Sequence, residues 1–220
     1  MVILFDFGGT LDGDGDGWAE RFHRAYATIG GGLSLCAFAP HFRESEAAFA
    51  RLPAASCMGL RQMIEVQAAL VTERLRDRLD PRAMAHRVYL ATLSVVERNR
   101  PYLEALARRH RLGIVTYFPG NLARCLTELD LAPLFALTCY SALSGGRASQ
   151  PRLLQTALAA LDGRPRESWM VGDDFDADVL PAAALGMCTC WLAPPDRIPP
   201  VDSVATVRAA RLPQACAMFR

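Results

Sequence analysis

No lysine occurs anywhere in the 220 residues, so all 24 basic side chains are arginine. A chain with no side-chain amine cannot form a Schiff base with a carbonyl substrate, and any clamp on a phosphoryl group has to be an arginine. Long hydrophobic runs are missing too. No stretch of 18 or more apolar residues exists, and the start, MVILF, carries no basic segment ahead of its apolar one, so neither a membrane span nor a signal peptide is expected. Excess charge of either sign is absent. A net charge of +1 gives no reason to expect nucleic acid or an anionic membrane as partner. The seven cysteines are dispersed and odd in number, and Cys188-x-Cys190 has no second Cys or His pair to complete a zinc site. They read as reduced packing residues of a cytoplasmic protein. What remains is a chain with 51% hydrophobic residues and no low-complexity tract, enough for one folded domain with a substantial insert.

The chain is organised around VILFDFGGTLD, residues 2–12. An apolar run stops at Asp6 and gives way to Gly8, Gly9 and Thr10, which predicts a buried strand delivering a carboxylate to a glycine-rich turn. A carboxylate in that place is an attacking group or a metal ligand. Next comes DGDGDG, residues 12–17, which predicts a flexible acidic hinge. It superficially matches the opening of a calcium-binding EF-hand loop. The closing position, eleven residues after Asp12, is His23 rather than Glu, which weighs against calcium.

Residues 18–99 have helical periodicity throughout, with segments expected at 18–29, 41–51, 60–79 and 82–98. This predicts a helical cap over residues 16–99. From residue 100 strand and helix signals alternate: helices at 101–109, 120–129, 151–161 and 176–185, strands at 112–118, 137–140, 168–172 and 187–192. That alternation predicts an α/β doubly wound parallel sheet built from residues 1–15 and 100–220, with ligands beyond the carboxyl ends of its strands. The tail from Ala193 reads as irregular up to a last helical turn at 212–219, with no function assigned.

A second acidic segment follows the strand at 168–172. Asp173, Asp174, Asp176 and Asp178 fall within six residues, and such crowding calls for a hard, oxygen-preferring cation such as Mg²⁺, helped by Asp6. With both segments in view, the chain resembles the haloacid dehalogenase-like hydrolases. In that family's phosphatases the first strand ends in Asp-x-Asp-Gly-Thr-Leu. Here Asp6 falls on the nucleophile, Gly9, Thr10 and Leu11 match, and Gly8 stands where the general acid/base Asp would be. The Gly172-Asp173 segment is similar to the family's fourth motif, which implies Asp173 as direct metal ligand and Asp174 or Asp178 acting through water or by orienting a neighbour.

The resemblance implies further roles. Asp6, Asp173, Asp174, Asp178 and the Gly8 backbone carbonyl would form the metal site. Gly9, Thr10 and Tyr117 would contact substrate, and Thr116 would bind the transferring phosphoryl group. Tyr117 stands where the family usually has Asn. The family's lysine motif corresponds to residues 147–151, where Ala148 marks the empty position and Arg147 is the candidate replacement. His23, Tyr26, His41 and Arg43 are candidate cap residues for reading the substrate. The function implied is a Mg²⁺-dependent phosphatase of a small phosphorylated metabolite, acting through an aspartyl-phosphate on Asp6, restricted to good leaving groups, and monomeric or homodimeric. The alternatives are a catalytically silent binding or regulatory protein and, less well matched, a 2-haloacid dehalogenase. Phosphonate cleavage as the family performs it needs a Schiff-base lysine, which this chain lacks.

Overall fold

The four apolar residues Val2–Phe5 are all buried, because both faces of the strand they form are covered. The computed structural model describes residues 1–76, 78–141, 150–198, 200, 204 and 207–219. Among them six strands form one parallel sheet: β1 (Val2–Phe5), β2 (Arg111–Tyr117), β3 (Leu137–Ser141), β4 (Ser168–Gly172), β5 (Cys188–Leu192) and β6 (Val207–Ala209). Their order is β3-β2-β1-β4-β5-β6, so the chain winds outward on one side of β1 and then on the other. Side chains alternate along a strand. Ile3 and Phe5 therefore pack on one face with Ile114 and Val171, while Val2 and Leu4 pack on the other with Val115 and Met170. The crevice at the carboxyl end of β1, where the winding reverses, is where such a sheet offers a ligand site.

Between β1 and β2 lie four helices: α1 (Trp18–Thr28), α2 (Leu35–Ala50), α3 (Leu60–Leu75) and α4 (Pro81–Ala107). Aromatic rings join the first two, with Phe22 and Phe42 centred 4.9 Å apart and Tyr26 and Phe38 5.2 Å apart. Helices α2 and α4 depart most from expectation within the insert. Helix α2 begins at Leu35 rather than residue 41, because Ser34 caps it by accepting from the Ala37 amide at 3.4 Å and Phe38 is buried one turn before Phe42. Pro40 lies inside α2, where it removes one backbone donor. Helix α4 runs unbroken through Pro101, past the boundary expected at residues 99–100, because Val96, Leu103 and Leu106 continue one buried stripe.

The remaining helices are α5 (Leu122–Glu128), α6 (Gln150–Ala160), α7 (Leu180–Ala184) and α8 (Leu212–Cys216). The helix expected at 176–185 is split, with a wide turn over Phe175–Val179 ahead of α7. The tail is less irregular than its four prolines suggest. Val207–Ala209 adds an edge strand beside β5, pairing Cys190 with Val207 and Leu192 with Ala209. Cys125, Cys190 and Cys216 are buried, and burial pushes their thiols up to about 12, so they stay protonated and inert. Cys36 and Cys57 are exposed rather than packed.

The DGDGDG loop is pinned rather than flexible. Each of its carboxylates meets an arginine: Asp12 with Arg21 at 2.8 Å, Asp14 with Arg98, and Asp16 with Arg24 at 2.9 Å. Asp14 also accepts from the Asn99 side chain and from the Leu212 amide, both at 2.9 Å, tying α4 and α8 to the loop. The Asp12–Arg21 pair is buried. Arg21 further donates to the Asp12 carbonyl at 2.8 Å and to Thr92 Oγ1 at 2.9 Å. Removing one partner of a buried pair strands the other charge. Arg21→Met is therefore expected to lower the unfolding free energy measured in urea by about 3–5 kcal/mol, against less than about 1 kcal/mol for Arg24→Met at the more exposed pair.

Candidate active site

Strand β1 ends at Phe5, and the next residue, Asp6, is held at the sheet edge by its amide donating to the Val171 carbonyl of β4 at 2.9 Å. The backbone then makes a tight turn through Gly8 and Gly9, the latter at φ +91°. That conformation favours glycine, and space demands it as well. A Cβ on Gly9 would lie 2.4 Å from Asp173 Oδ2. Asp173, which follows β4, thus rests directly on the Gly9 backbone.

Asp178 completes the group from the wide turn before α7. Carboxylate oxygens of Asp6, Asp173 and Asp178 all lie within 4.8 Å of one another, and all three residues are buried. Each acid is perturbed accordingly. Burial, then the charge of Asp173, drives the Asp6 carboxyl well above its ordinary value, against hydrogen bonds from the Thr116 hydroxyl and the Phe7 amide. Burial pushes Asp173 up to about 7, opposed by the Thr10 hydroxyl and assisted by Asp12 and Asp174, while Arg197 draws it back. Asp178 is raised well above its ordinary value by burial and then by Asp6, Asp173 and Asp174. Three buried carboxylates at such spacing form an all-oxygen donor set, the kind that suits a hard divalent cation.

Asp6, Gly8, Thr116, Tyr117, Asp173 and Asp178 line one cavity of about 630 Å³, and Asp174 lines it as well. The Asp174 carboxylate also caps the wide turn, accepting from the Asp176 and Ala177 amides at 3.0 Å. Gly9 and Thr10 lie behind the cavity wall. The Gly9 amide donates to Asp12 Oδ1 at 2.7 Å, and Thr10 Oγ1 donates to Asp173 Oδ1 at 3.0 Å, so Thr10 braces an acid of the site from behind. Arg147 and Ala148 lie outside the described residues. The nearest described residue, buried Gln150, points its amide at Asp178 Oδ1 at 3.5 Å.

The helical insert closes the cavity with Trp18, Phe42, Glu46, Phe49, Met63 and Gln67. Of the four cap residues expected there, Arg43 lines the cavity. His23 and Tyr26 do not, because they pack with Phe38 in the insert's aromatic cluster and His23 Nε2 bonds the Leu33 carbonyl at 2.8 Å. His41 is not in the lining either. Residues 42, 46 and 49 fall on one face of α2, a three- and four-residue spacing legible in the sequence once the start of that helix is known. Trp18 fills the space over Gly8, with its indole nitrogen 2.8 Å from where a Cβ on Gly8 would stand. Burial among these side chains pushes Glu46 up to about 7, opposed by Arg43.

A family model for haloacid dehalogenase-like hydrolases matches residues 1–186. The chain belongs to the haloacid dehalogenase-like hydrolases. Solved structures agree on the fold of this hydrolase. It is similar to a magnesium-bound putative HAD-hydrolase, YfnB from Bacillus subtilis, at 12% identity and TM-score 0.58, covering 100% of this chain and 98% of that one. It resembles a 2-haloacid dehalogenase from Pseudomonas syringae at 20% identity and TM-score 0.54, covering 100% and 99%. It also resembles a HAD phosphatase from Thermococcus onnurineus at 17% identity and TM-score 0.53, covering 99% and 97%. Identities this low speak for the fold alone. Among curated proteins none matches. No described helix is long and apolar enough to cross a membrane.

The perturbed acids give the hydrolase a pH-dependent stability. Asp173 titrates near 3.8 when unfolded and near 7 when folded, so between these values the folded state holds more protons and stability falls as pH rises. A divalent cation held by these acids would offset that loss, and protons would compete with it at low pH. Millimolar Mg²⁺ is expected to raise the melting temperature more at about pH 8 than at about pH 5, as read by differential scanning calorimetry, and Asp173→Asn should remove the difference.

Proposed function

We propose that this hydrolase cleaves small phosphomonoesters by attack of Asp6 on phosphorus, with a divalent cation held by Asp6, Asp173, Asp178 and the Gly8 carbonyl. The gathering of three buried carboxylates within 4.8 Å carries this reading. Such a cation, when bound, neutralises charge on the carboxylates and on the phosphoryl oxygens. An Asp6 carboxylate oxygen forms a bond to phosphorus in line with the leaving oxygen, whose bond to phosphorus breaks with departure of the electron pair. Water then attacks phosphorus, and Asp6 leaves as carboxylate with inorganic phosphate released. Thr116, whose hydroxyl donates to Asp6, orients the attacking oxygen. Asp174, at the cavity wall, orders the turn that carries Asp178.

Gly8 supplies no proton, and the group placed over it, the Trp18 indole, donates a hydrogen bond without giving up its proton. Losing a general acid costs about 10²–10⁴-fold with a poor leaving group. Acyl and aryl phosphates are thus the favoured class. A second reading has one feature in its favour: carbon-centred attack by Asp6 on a 2-haloacid releases halide, which needs no acid, and so accommodates Gly8. Three acids in one buried site count against it.

The deciding experiment measures Mg²⁺-dependent phosphate release from p-nitrophenyl phosphate and acetyl phosphate, with Asp6→Asn as control and halide release from 2-chloropropionate in parallel. Release from both phosphates, abolished in the control and at least about 10²-fold slower on an alkyl phosphate, is expected. Equal rates on alkyl and aryl phosphates, or halide release alone, would overturn the proposal.

A further inference from the structure

A cavity whose floor is three carboxylates must still attract a phosphate dianion, and the chain has no lysine to do so. Two cations line the cavity among the described residues, Arg43 and Arg197. They differ in setting. Arg43 is on the insert, exposed, and its charge acts on Glu46. Arg197 comes from the proline-rich segment after β5, and its charge reaches Asp173 at the site itself.

The segment that carries Arg197 is built to hold it. The Arg197 amide donates to the Pro194 carbonyl at 3.1 Å, closing a turn. Arg208 of β6 donates to the carbonyls of both Pro194 and Arg197, the latter at 2.7 Å. Its guanidinium also lies over the Trp191 ring, 5.1 Å from the centroid, and the Trp191 indole donates to the Asp173 carbonyl at 3.0 Å. One continuous set of contacts therefore runs from the metal-type acid Asp173 through Trp191 and Arg208 to the Arg197 backbone. The Arg197 head itself is only loosely engaged. Its nearest acid among the described residues is Glu20 of α1, also lining the cavity, at 3.6 Å, too long for a good hydrogen bond.

We propose that Arg197 is the anion-binding side chain of this site, leaving Glu20 to form charge-assisted hydrogen bonds with the phosphoryl oxygens of the substrate. Guanidinium suits this role because its planar fork matches phosphate geometry. Glu20 parks the cation at the cavity mouth between turnovers. The inference rests on the phosphomonoester reading above.

The test uses inorganic phosphate as probe, with its dissociation constant measured calorimetrically in Mg²⁺, alongside KM and kcat for p-nitrophenyl phosphate. Arg197→Ala is expected to weaken phosphate binding by about 10- to 100-fold, the range for losing charge-assisted hydrogen bonds. Arg197→Lys should recover part of that loss. Glu20→Gln, which frees the cation without removing it, should tighten phosphate binding. If Arg197 only latches the insert to the core, Arg197→Ala and Glu20→Gln will shift binding in the same direction by similar factors, and the proposal fails. Unchanged phosphate affinity in Arg197→Ala also overturns it, while leaving the parent reading intact as long as the wild type shows Asp6-dependent turnover. Lack of such turnover in the wild type removes the parent reading and this inference with it. Tighter binding of lactate than of phosphate, lost in Arg197→Ala, would assign the cation to a carboxylate substrate and overturn the phosphoryl assignment.

Discussion

Repulsion among three buried carboxylates is the constraint on which the rest of this structure depends. Asp6 comes from the segment after β1 and Asp173 and Asp178 from the one after β4, and the sheet brings them together because β1 and β4 are neighbours at the point where the winding reverses. Burial first, and neighbouring acids next, raise all three above the ordinary carboxylate value. They become useful only with a counter-charge, as ligands for a cation or as a nucleophile beside one.

Much of the surrounding architecture keeps that crowding in register. Gly9 lacks a Cβ so that Asp173 can rest on its backbone, and Thr10 bonds Asp173 from behind. Asp12 takes the Gly9 amide and is itself held by buried Arg21 of α1. The turn that follows Asp6 is therefore anchored through one ion pair to the helical insert. Asp14 and Asp16 extend the same device to α4 and α1.

Much of this was legible in the sequence, for physical reasons. Strands buried on both faces are continuous apolar runs, so β1, β2, β4 and β5 announce themselves. Two acidic segments, each following such a run, point to one site at the sheet edge. Other parts were hidden. β6 is three residues long and one of them is Arg208, so neither length nor apolarity marks it, and the order of the tail stays hidden with it. The acidic loop looked flexible because glycine dominates locally, whereas its order comes from Arg21, Arg24 and Arg98, the last more than 80 residues away. His23 and Tyr26 have the chemistry of substrate readers but pack within the insert. Trp18, Phe42 and Glu46 face the cavity without any motif to mark them. Long-range partners decide such cases, and local patterns do not contain them.

Diffraction from crystals soaked in Mn²⁺, with data collected at the metal's absorption edge, tests the central claim most directly. One anomalous peak is expected within coordination distance of Asp6, Asp173 and Asp178, lost in Asp173→Asn. No peak there, or a peak in the Asp12, Asp14 and Asp16 loop instead, would rule out a cation held by the three buried acids.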